Sequence, residues 1–188
     1  MGKNNGGALI YGDKADTAIK SEGTLAQLDF VDLNSDDRHE VMASSFDISV
    51  SQIIGALLTG SVDQDVLIFE LDSKQRYQQR ISEQVEMKFS LTSGKSGAPV
   101  IKLADLDGDG AKELILSDGE NQLKIFPGLK KGNILHKQSQ MLDIRLPQNG
   151  VLLTSDDLNQ DGKAELIVRY DSEDGAERRN RLLILQAK

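Results

Sequence analysis

The sequence contains no cysteine, which excludes disulfides, thiolate zinc sites and cysteine nucleophiles. Tryptophan is also absent, and the aromatic side chains are five phenylalanines and three tyrosines. Surfaces that stack nucleobases or sugar rings rely on exposed aromatic side chains. The composition therefore argues against both kinds of stacking site.

Long apolar runs and an excess of positive charge are missing as well. The longest apolar stretch, around Ile53 to Leu58, is far too short to cross a bilayer. The first seven residues have no apolar run behind their charge, so we expect no secretory signal in this sequence. The net charge of -8 disfavours nucleic acid and anionic membranes as partners. We expect neither nucleic-acid binding nor membrane insertion.

What the sequence does contain is a repeated acidic turn, at 32–41, 105–114 and 157–166. Each copy reads Asp, Leu, Asp or Asn, any residue, Asp, a turn residue, two residues of any type, Glu and an aliphatic residue. We call these the first, second and third turns and number their positions from the initial Asp. A triple match to one template identifies an internal repeat.

Short strand-like runs flank the turns. The second turn lies between Val100–Ala104 and Glu113–Ser117, and two further runs follow at Gln122–Phe126 and Met141–Pro147. Four short strands in a unit of about fifty residues are typical of a propeller blade. We predict an all-β fold of β-propeller blades, each a four-stranded antiparallel sheet. The chain would hold about three blades, as a segment of a larger propeller or as a ring closed by association of chains.

The same pattern predicts boundaries along the chain. In order, we expect a disordered N-terminus, the last strands of a preceding blade, a first blade, a second blade and an incomplete third blade. The corresponding ranges are 1–7, 8–22 (with strands at 8–11 and 17–20), 23–91, 92–147 and 148–188. The charged segment 170–181 is expected to be a solvated hairpin.

The first blade carries an insertion at 47–65. Leu67 lies 57 residues before its counterpart Lys124, whereas the first two turns lie 73 residues apart, which leaves 16 extra residues (73 − 57). Ile53, Ile54, Leu57 and Leu58 recur there at helical spacing, so we expect a short amphipathic helix. Its apolar face would either pack against its own blade or bind a partner.

The residue types of the turns suit calcium. Side chains at positions 1, 3 and 5 of a tight loop point inward, and calcium accepts six to eight oxygen ligands with flexible geometry. Glycine at position 6 permits a positive φ, position 7 would supply a carbonyl, and position 9 a carboxylate. The candidate ligands are Asp105, Asp107, Asp109, Ala111 and Glu113 in the second turn, Asp157, Asn159, Asp161, Lys163 and Glu165 in the third, and Asp32, Asn34, Asp36, Arg38 and Glu40 in the first.

Two alternatives compete with this interpretation. An EF-hand is excluded because position 12, where that motif needs a bidentate Glu, holds Ala43, Leu116 and Val168. The other alternative needs no metal, because Asp and Asn side chains also cap backbone N–H groups in turns. A bound ion would stabilise the fold and not act in catalysis.

A strand-flanked Asp-x-Asp/Asn-x-Asp-Gly turn resembles the FG-GAP repeat, also called the VCBS repeat, of integrin-α-like propellers. Gly97-Ala98-Pro99 faintly resembles the Gly-Ala-Pro element of that name. The resemblance implies a seven-bladed propeller in the complete protein, calcium in the turns, and an extracellular or cell-surface role in adhesion or protein interaction. The family commonly has Asp at position 9, where this sequence has Glu, and the first turn has Asp37 in place of glycine. We expect calcium affinity to fall from the second turn to the third to the first.

The predicted function is that of a calcium-binding propeller module for protein–protein interaction, adhesion or scaffolding, and not an enzyme. A protein partner is preferred, and self-association to close the ring is a further option. The alternatives are a lectin-like, glycan-binding propeller and an accessory domain of a secreted enzyme. The expected location is extracellular, periplasmic or at the cell surface.

Overall fold

The structure is a computed structural model that describes residues 3–5, 8–10, 12–47, 49–89 and 96–188. This part of the chain is built from antiparallel sheets, with one α-helix and two short 3₁₀ helices. Within it, no sheet closes into a barrel. The prediction of an all-β fold is confirmed.

Four sheets contain all the strands described. Near the N-terminus, β1 (Lys3–Asn5) pairs with β2 (Ala8–Ile10). The first sheet follows, with five strands in chain order: β3 (Thr24–Val31), β4 (Glu40–Phe46), β5 (Ser61–Leu71), β6 (Tyr77–Phe89) and β7 (Ser96–Gly97). The first acidic turn connects β3 to β4.

The second and third sheets repeat the same order of strands. The second sheet contains β8 (Ile101–Ala104), β9 (Glu113–Asp118), β10 (Gln122–Phe126) and β11 (Gln140–Asp143). The third contains β12 (Leu153–Asp156), β13 (Glu165–Arg169) and β14 (Leu182–Leu185). In each sheet the acidic turn joins the first two strands, as the spacing of the repeat predicts.

The sheets are held together by alternating apolar side chains, since successive residues of a strand point to opposite faces. Leu114 and Leu116 of β9 are fully buried against the first sheet, whereas Ile115 between them is fully buried against the third. The second sheet is therefore covered on both faces. We call the face of each sheet that points toward the next sheet along the chain its forward face, and the opposite one its backward face.

The helix α1 (Val50–Thr59) connects β4 to β5 and confirms the predicted helix. Ser49 caps its N-terminus by accepting a hydrogen bond from the Gln52 N–H at 3.3 Å, and Gly60 ends it with a φ of 72°. None of its residues is buried, and its large apolar side chains are 46–82% exposed. Among the described residues, no helix has the length and apolar character needed to cross a bilayer.

The N-terminal region differs from the expectation. Strand β2 pairs with β1, which lies inside the segment expected to be disordered, and the expected strand at 17–20 is absent. Ile19 instead packs on the backward face of the first sheet, beside Val41 and Phe69. Strand β7 pairs with β6 although the expected boundary places it in the second blade.

The segment 170–181 is not a simple solvated hairpin. Asp174 is only 2% exposed and accepts hydrogen bonds from the Gln148 N–H at 2.7 Å and the Asp171 N–H at 2.8 Å. The Tyr170 hydroxyl donates to the Arg145 carbonyl. These bonds fasten the segment to the loop before the third sheet, which its charged composition does not reveal.

Candidate metal centre

The three acidic turns adopt one backbone conformation. Positions 4 and 6 have a positive φ in each of them, with values of 58° and 64° in the first turn, 78° and 94° in the second, and 62° and 88° in the third. The residues concerned are Ser35, Asp37, Gly108, Gly110, Gln160 and Gly162. Glycine adopts this region without the strain that other residues pay. Asp37 therefore adopts, at a conformational cost, the positive φ that glycine has at position 6 of the other two turns.

The same backbone hydrogen bonds recur in the first, second and third turns. The N–H of position 6 donates to the carboxylate of position 1 at 3.0, 2.8 and 2.9 Å. The N–H of position 5 donates to Oδ1 of position 3 at 3.1, 3.0 and 2.9 Å. The N–H of position 7 donates to Oδ1 of position 5 at 3.0, 2.7 and 2.9 Å. Side chains at positions 1, 3 and 5 therefore do cap backbone N–H groups, and these bonds fix the direction of each side chain.

In the second turn, this capping brings three carboxylates together. One oxygen each from Asp105, Asp107 and Asp109 lies within 4.8 Å of the others. Calcium binds oxygen at 2.3–2.6 Å, so two ligands on opposite sides of the ion lie about 5 Å apart. A carboxylate has about four lone-pair positions, and backbone N–H groups occupy one or two of them in each case. The triad is therefore able to hold a divalent, oxygen-seeking cation while its capping bonds persist.

The glutamate at position 9 has a different environment. Glu40, Glu113 and Glu165 are 1%, 5% and 2% exposed, and each accepts a hydrogen bond from the N–H of the leucine at position 2, at 2.9, 2.6 and 2.8 Å. Burial raises the pKa of Glu40 and of Glu113, because the charged form loses its hydration. These carboxylates close the loop from inside the protein.

The second oxygen of this glutamate ties the turn to the third strand of the sheet in two of the three repeats. Glu113 Oε1 accepts from the Gly128 N–H at 3.1 Å, just after β10. Glu165 Oε1 accepts from Gln186 Nε2 at 3.0 Å, just after β14, and from Asn159 Nδ2 at 3.1 Å. The sequence predicted a metal ligand at position 9, and the structure adds a closing role that the motif alone does not signal.

In the first turn, a positively charged side chain of the protein binds one of the candidate metal ligands. The Arg38 guanidinium donates to Asp36 Oδ2 through Nε at 3.2 Å and through a terminal nitrogen at 2.7 Å. This side-chain hydrogen bond lowers the pKa of Asp36. Position 7 of the second turn is the fully buried Ala111, which places no charge beside the triad.

Neighbouring turns contact each other, which the sequence did not predict. Ser35 Oγ of the first turn donates to the Gly110 carbonyl of the second at 2.5 Å. The Lys112 N–H donates to the Leu33 carbonyl at 2.8 Å, and the Ala164 N–H donates to the Asp105 carbonyl at 2.7 Å. The three acidic turns therefore lie side by side at one end of the stacked sheets.

Comparison with protein families identifies part of this arrangement. Residues 105–168 match the family model of the FG-GAP-like repeat. This segment is an FG-GAP-like repeat. Neither a curated protein nor a solved structure matches the chain significantly.

The FG-GAP-like repeat spans 64 of the 188 residues (168 − 105 + 1) and begins at position 1 of the second turn. It contains the second and third turns together with the strands between them. The first turn lies outside the matched segment, yet it has the same φ pattern and the same three sets of capping bonds. The predicted resemblance to FG-GAP repeats is confirmed for the matched segment, and the first turn shares its local geometry.

Proposed function

We propose that this protein is a calcium-binding module of stacked β-propeller blades that serves protein–protein interaction, adhesion or scaffolding, and that it is not an enzyme. The observation that carries the proposal is the convergence of Asp105, Asp107 and Asp109 within an FG-GAP-like repeat. Three carboxylates at this spacing repel one another unless a cation or strong hydration offsets their charge. A hard divalent ion with flexible coordination is the natural partner of such a site.

The propeller proposal rests on how the sheets stack. The first, second and third sheets follow one another face to face in chain order, with an apolar cluster at each junction. Their acidic turns touch in the same order. A propeller is a radial series of such antiparallel sheets, each packed against the next.

The geometry supports the expected order of calcium affinity among the turns. The second turn has three carboxylates and glycine at position 6. The third has Asn159 at position 3, so it offers one charge fewer. In the first turn, the Arg38 guanidinium competes with an ion for Asp36. The positive φ of Asp37 also costs conformational free energy there.

Protein interaction is preferred over the other functions considered. The chain has no tryptophan for stacking sugar rings, which weighs against a lectin. The buried carboxylates at position 9 are engaged with backbone N–H groups, which weighs against their use as catalytic acids or bases. FG-GAP repeats occur in extracellular proteins, which supports a place outside the cell, in the periplasm or on the cell surface as part of the proposal.

Thermal unfolding with calcium and with EDTA tests the metal site. An ion that binds only the folded state stabilises it by about 2.7 kcal/mol at a hundred times its Kd, which raises Tm by roughly 5–10 °C. The double variant D107N/D109N keeps both Oδ1 acceptors for the backbone but removes two charges from the site. We expect it to keep its Tm in EDTA and to lose most of the calcium-dependent rise.

The matched control is D13N/E22Q, which removes the same charge from exposed positions outside the turns. It should respond to calcium like the unmodified protein. An unmodified protein with the same Tm in calcium and EDTA would contradict the metal proposal. Binding to a glycan array in calcium buffer would contradict the preference for a protein partner.

A further inference from the structure

The first and third turns have the same side chains at the positions that donate oxygen atoms. Position 1 is Asp, position 3 is Asn, position 5 is Asp and position 9 is Glu in both turns. They also share the positive φ at positions 4 and 6 and the three sets of capping bonds. A difference in how the two turns bind an ion must therefore come from the residues at other positions.

The residue at position 7 separates the two turns. The Arg38 N–H donates to Asp36 Oδ1 at 3.0 Å, and its guanidinium donates twice to Asp36 Oδ2, at 3.2 and 2.7 Å. The Lys163 N–H makes the same backbone bond to Asp161 Oδ1 at 2.9 Å. Asp161 Oδ2, however, accepts from the neutral Asn159 amide at 3.1 Å. A positive charge thus lies against position 5 of the first turn where the third turn has a neutral group.

The Arg38 guanidinium has the properties of a built-in counter-ion. It stays protonated at every pH at which the protein is folded, and its planar N–H donors match a carboxylate. It uses the Asp36 oxygen that the backbone leaves for an ion. A calcium ion in the first turn needs that oxygen and is repelled by the guanidinium charge, so the two cations exclude each other.

We propose that Arg38 takes the place of a calcium ion in the first turn, so that this turn keeps the conformation of its repeat without metal. Calcium then binds the second and third turns, whose position 7 leaves the carboxylate of position 5 without a guanidinium partner. The proposal deepens the proposed function, since it rests on the premise that turns of this shape bind calcium.

A first turn that needs no ion has a consequence for its neighbour. The Ser35 hydroxyl donates to the Gly110 carbonyl of the second turn, and the Lys112 N–H of the second turn donates to the Leu33 carbonyl. Because Arg38 is always present, the first turn offers these contacts at any calcium concentration. The second turn is therefore supported on this side whether or not it holds an ion.

The number of calcium ions bound per chain tests the proposal. Equilibrium dialysis against about 5 mM free calcium lies above the Kd range of extracellular calcium modules. Under this condition, R38A should bind one ion more than the unmodified chain. D36N alone should bind the same number as the unmodified chain. R38A/D36N should lose the additional ion, which places that ion in the first turn.

The matched control is R76A. Arg76 contacts Asp72 as Arg38 contacts Asp36, through its N–H to Oδ1 at 2.9 Å and its guanidinium to Oδ2 at 3.3 and 3.1 Å, but outside the acidic turns. Both variants should lower Tm in EDTA by up to about 4 °C, because each loses an exposed ion pair. Calcium should restore the loss in R38A beyond the rise of the unmodified chain, and R76A should show no such recovery. R38Q, which keeps hydrogen-bond donors without the charge, replaces R38A if circular dichroism shows that R38A is unfolded.

Two results would overturn the role of Arg38: an R38A chain that binds no additional ion, or a D36N chain that binds one ion fewer than the unmodified chain. The metal proposal fails separately. An unmodified chain that binds no calcium would refute the proposed site in the second turn, while a gained ion in R38A would still support the role of Arg38. If both chains bind none, both proposals are wrong.

Discussion

At the scale of single residues, each acidic turn combines carboxylates of two kinds. Those of Asp107 and Asp109 are exposed and cap the backbone of their own turn, whereas Glu113 is buried beneath it. A buried charge is costly unless hydrogen bonds compensate for the lost hydration. Glu113 receives that compensation from the N–H groups of Leu106 and Gly128. Glu113 therefore holds the turn against the sheet, whether or not it also binds an ion.

Replacing this glutamate separates the structural role from the metal role. In E113Q, one of the two buried N–H groups faces an amide NH₂ instead of an acceptor, which costs about 1–3 kcal/mol. We expect this loss in the free energy of unfolding measured by urea denaturation in EDTA. E177Q, at an exposed position, should change it little. Full stability of E113Q in EDTA with a weakened calcium response would instead identify Glu113 as a ligand only.

At the scale of elements, α1 has its large side chains on the solvent side. At 3.6 residues per turn, its five aliphatic residues share an arc of about 140°; they are Val50, Ile53, Ile54, Leu57 and Leu58, at 46–82% exposure. The smaller Gly55 and Ala56, on the other side, are the less exposed residues. The caps at Ser49 and Gly60 define the ends of the helix. Its large aliphatic residues contribute little to the core.

The exposure of α1 predicts a small effect of polar substitution. In L57S/L58S, side chains that are 52% and 82% exposed lose little burial, so we expect Tm to fall by no more than about 2 °C. I68A, which truncates a fully buried side chain of β5, should cost about 2–5 kcal/mol. Differential scanning calorimetry compares the two. A drop in L57S/L58S as large as that in I68A would mean that α1 packs against the protein.

At the scale of the whole molecule, stability depends on the junctions between sheets more than on any single sheet. The second sheet has only four short strands, but it is buried on both faces by clusters that its neighbours complete. A sheet with an open apolar face keeps that surface in water, and burying it contributes about 25 cal/mol per Å². Equivalent residues of the three sheets therefore contribute differently to the free energy of unfolding, depending on whether a neighbouring sheet packs against them.

The leucine at position 2 makes this difference measurable. L33A removes a side chain buried between the first and second sheets and should cost about 2–5 kcal/mol. L158A changes the same residue type at the same position of the third turn, where 50% is exposed, and should cost less than about 1 kcal/mol in the monomer. Urea denaturation of dilute samples gives both values. Equal losses would contradict the stacking of the sheets.

Much of the site could be predicted from the sequence. The carboxylates at positions 1, 3 and 5, the positive φ at position 6 and the strands on either side follow from local spacing, because each depends on neighbours along the chain. The helix at Val50–Thr59 followed from periodicity for the same reason. The expected strand at 17–20 was wrong, since a short apolar run does not show whether a strand lies beside it.

The sequence by itself determined the repeat, the all-β character and the group of oxygens that can hold a cation. Only the tertiary structure decided that the glutamate at position 9 is buried beneath its turn, that neighbouring turns touch, and that Leu158 is open where Leu33 and Leu106 are covered. Local spacing fixes which way a side chain points along its own strand. What covers that side chain depends on contacts with residues distant in the chain.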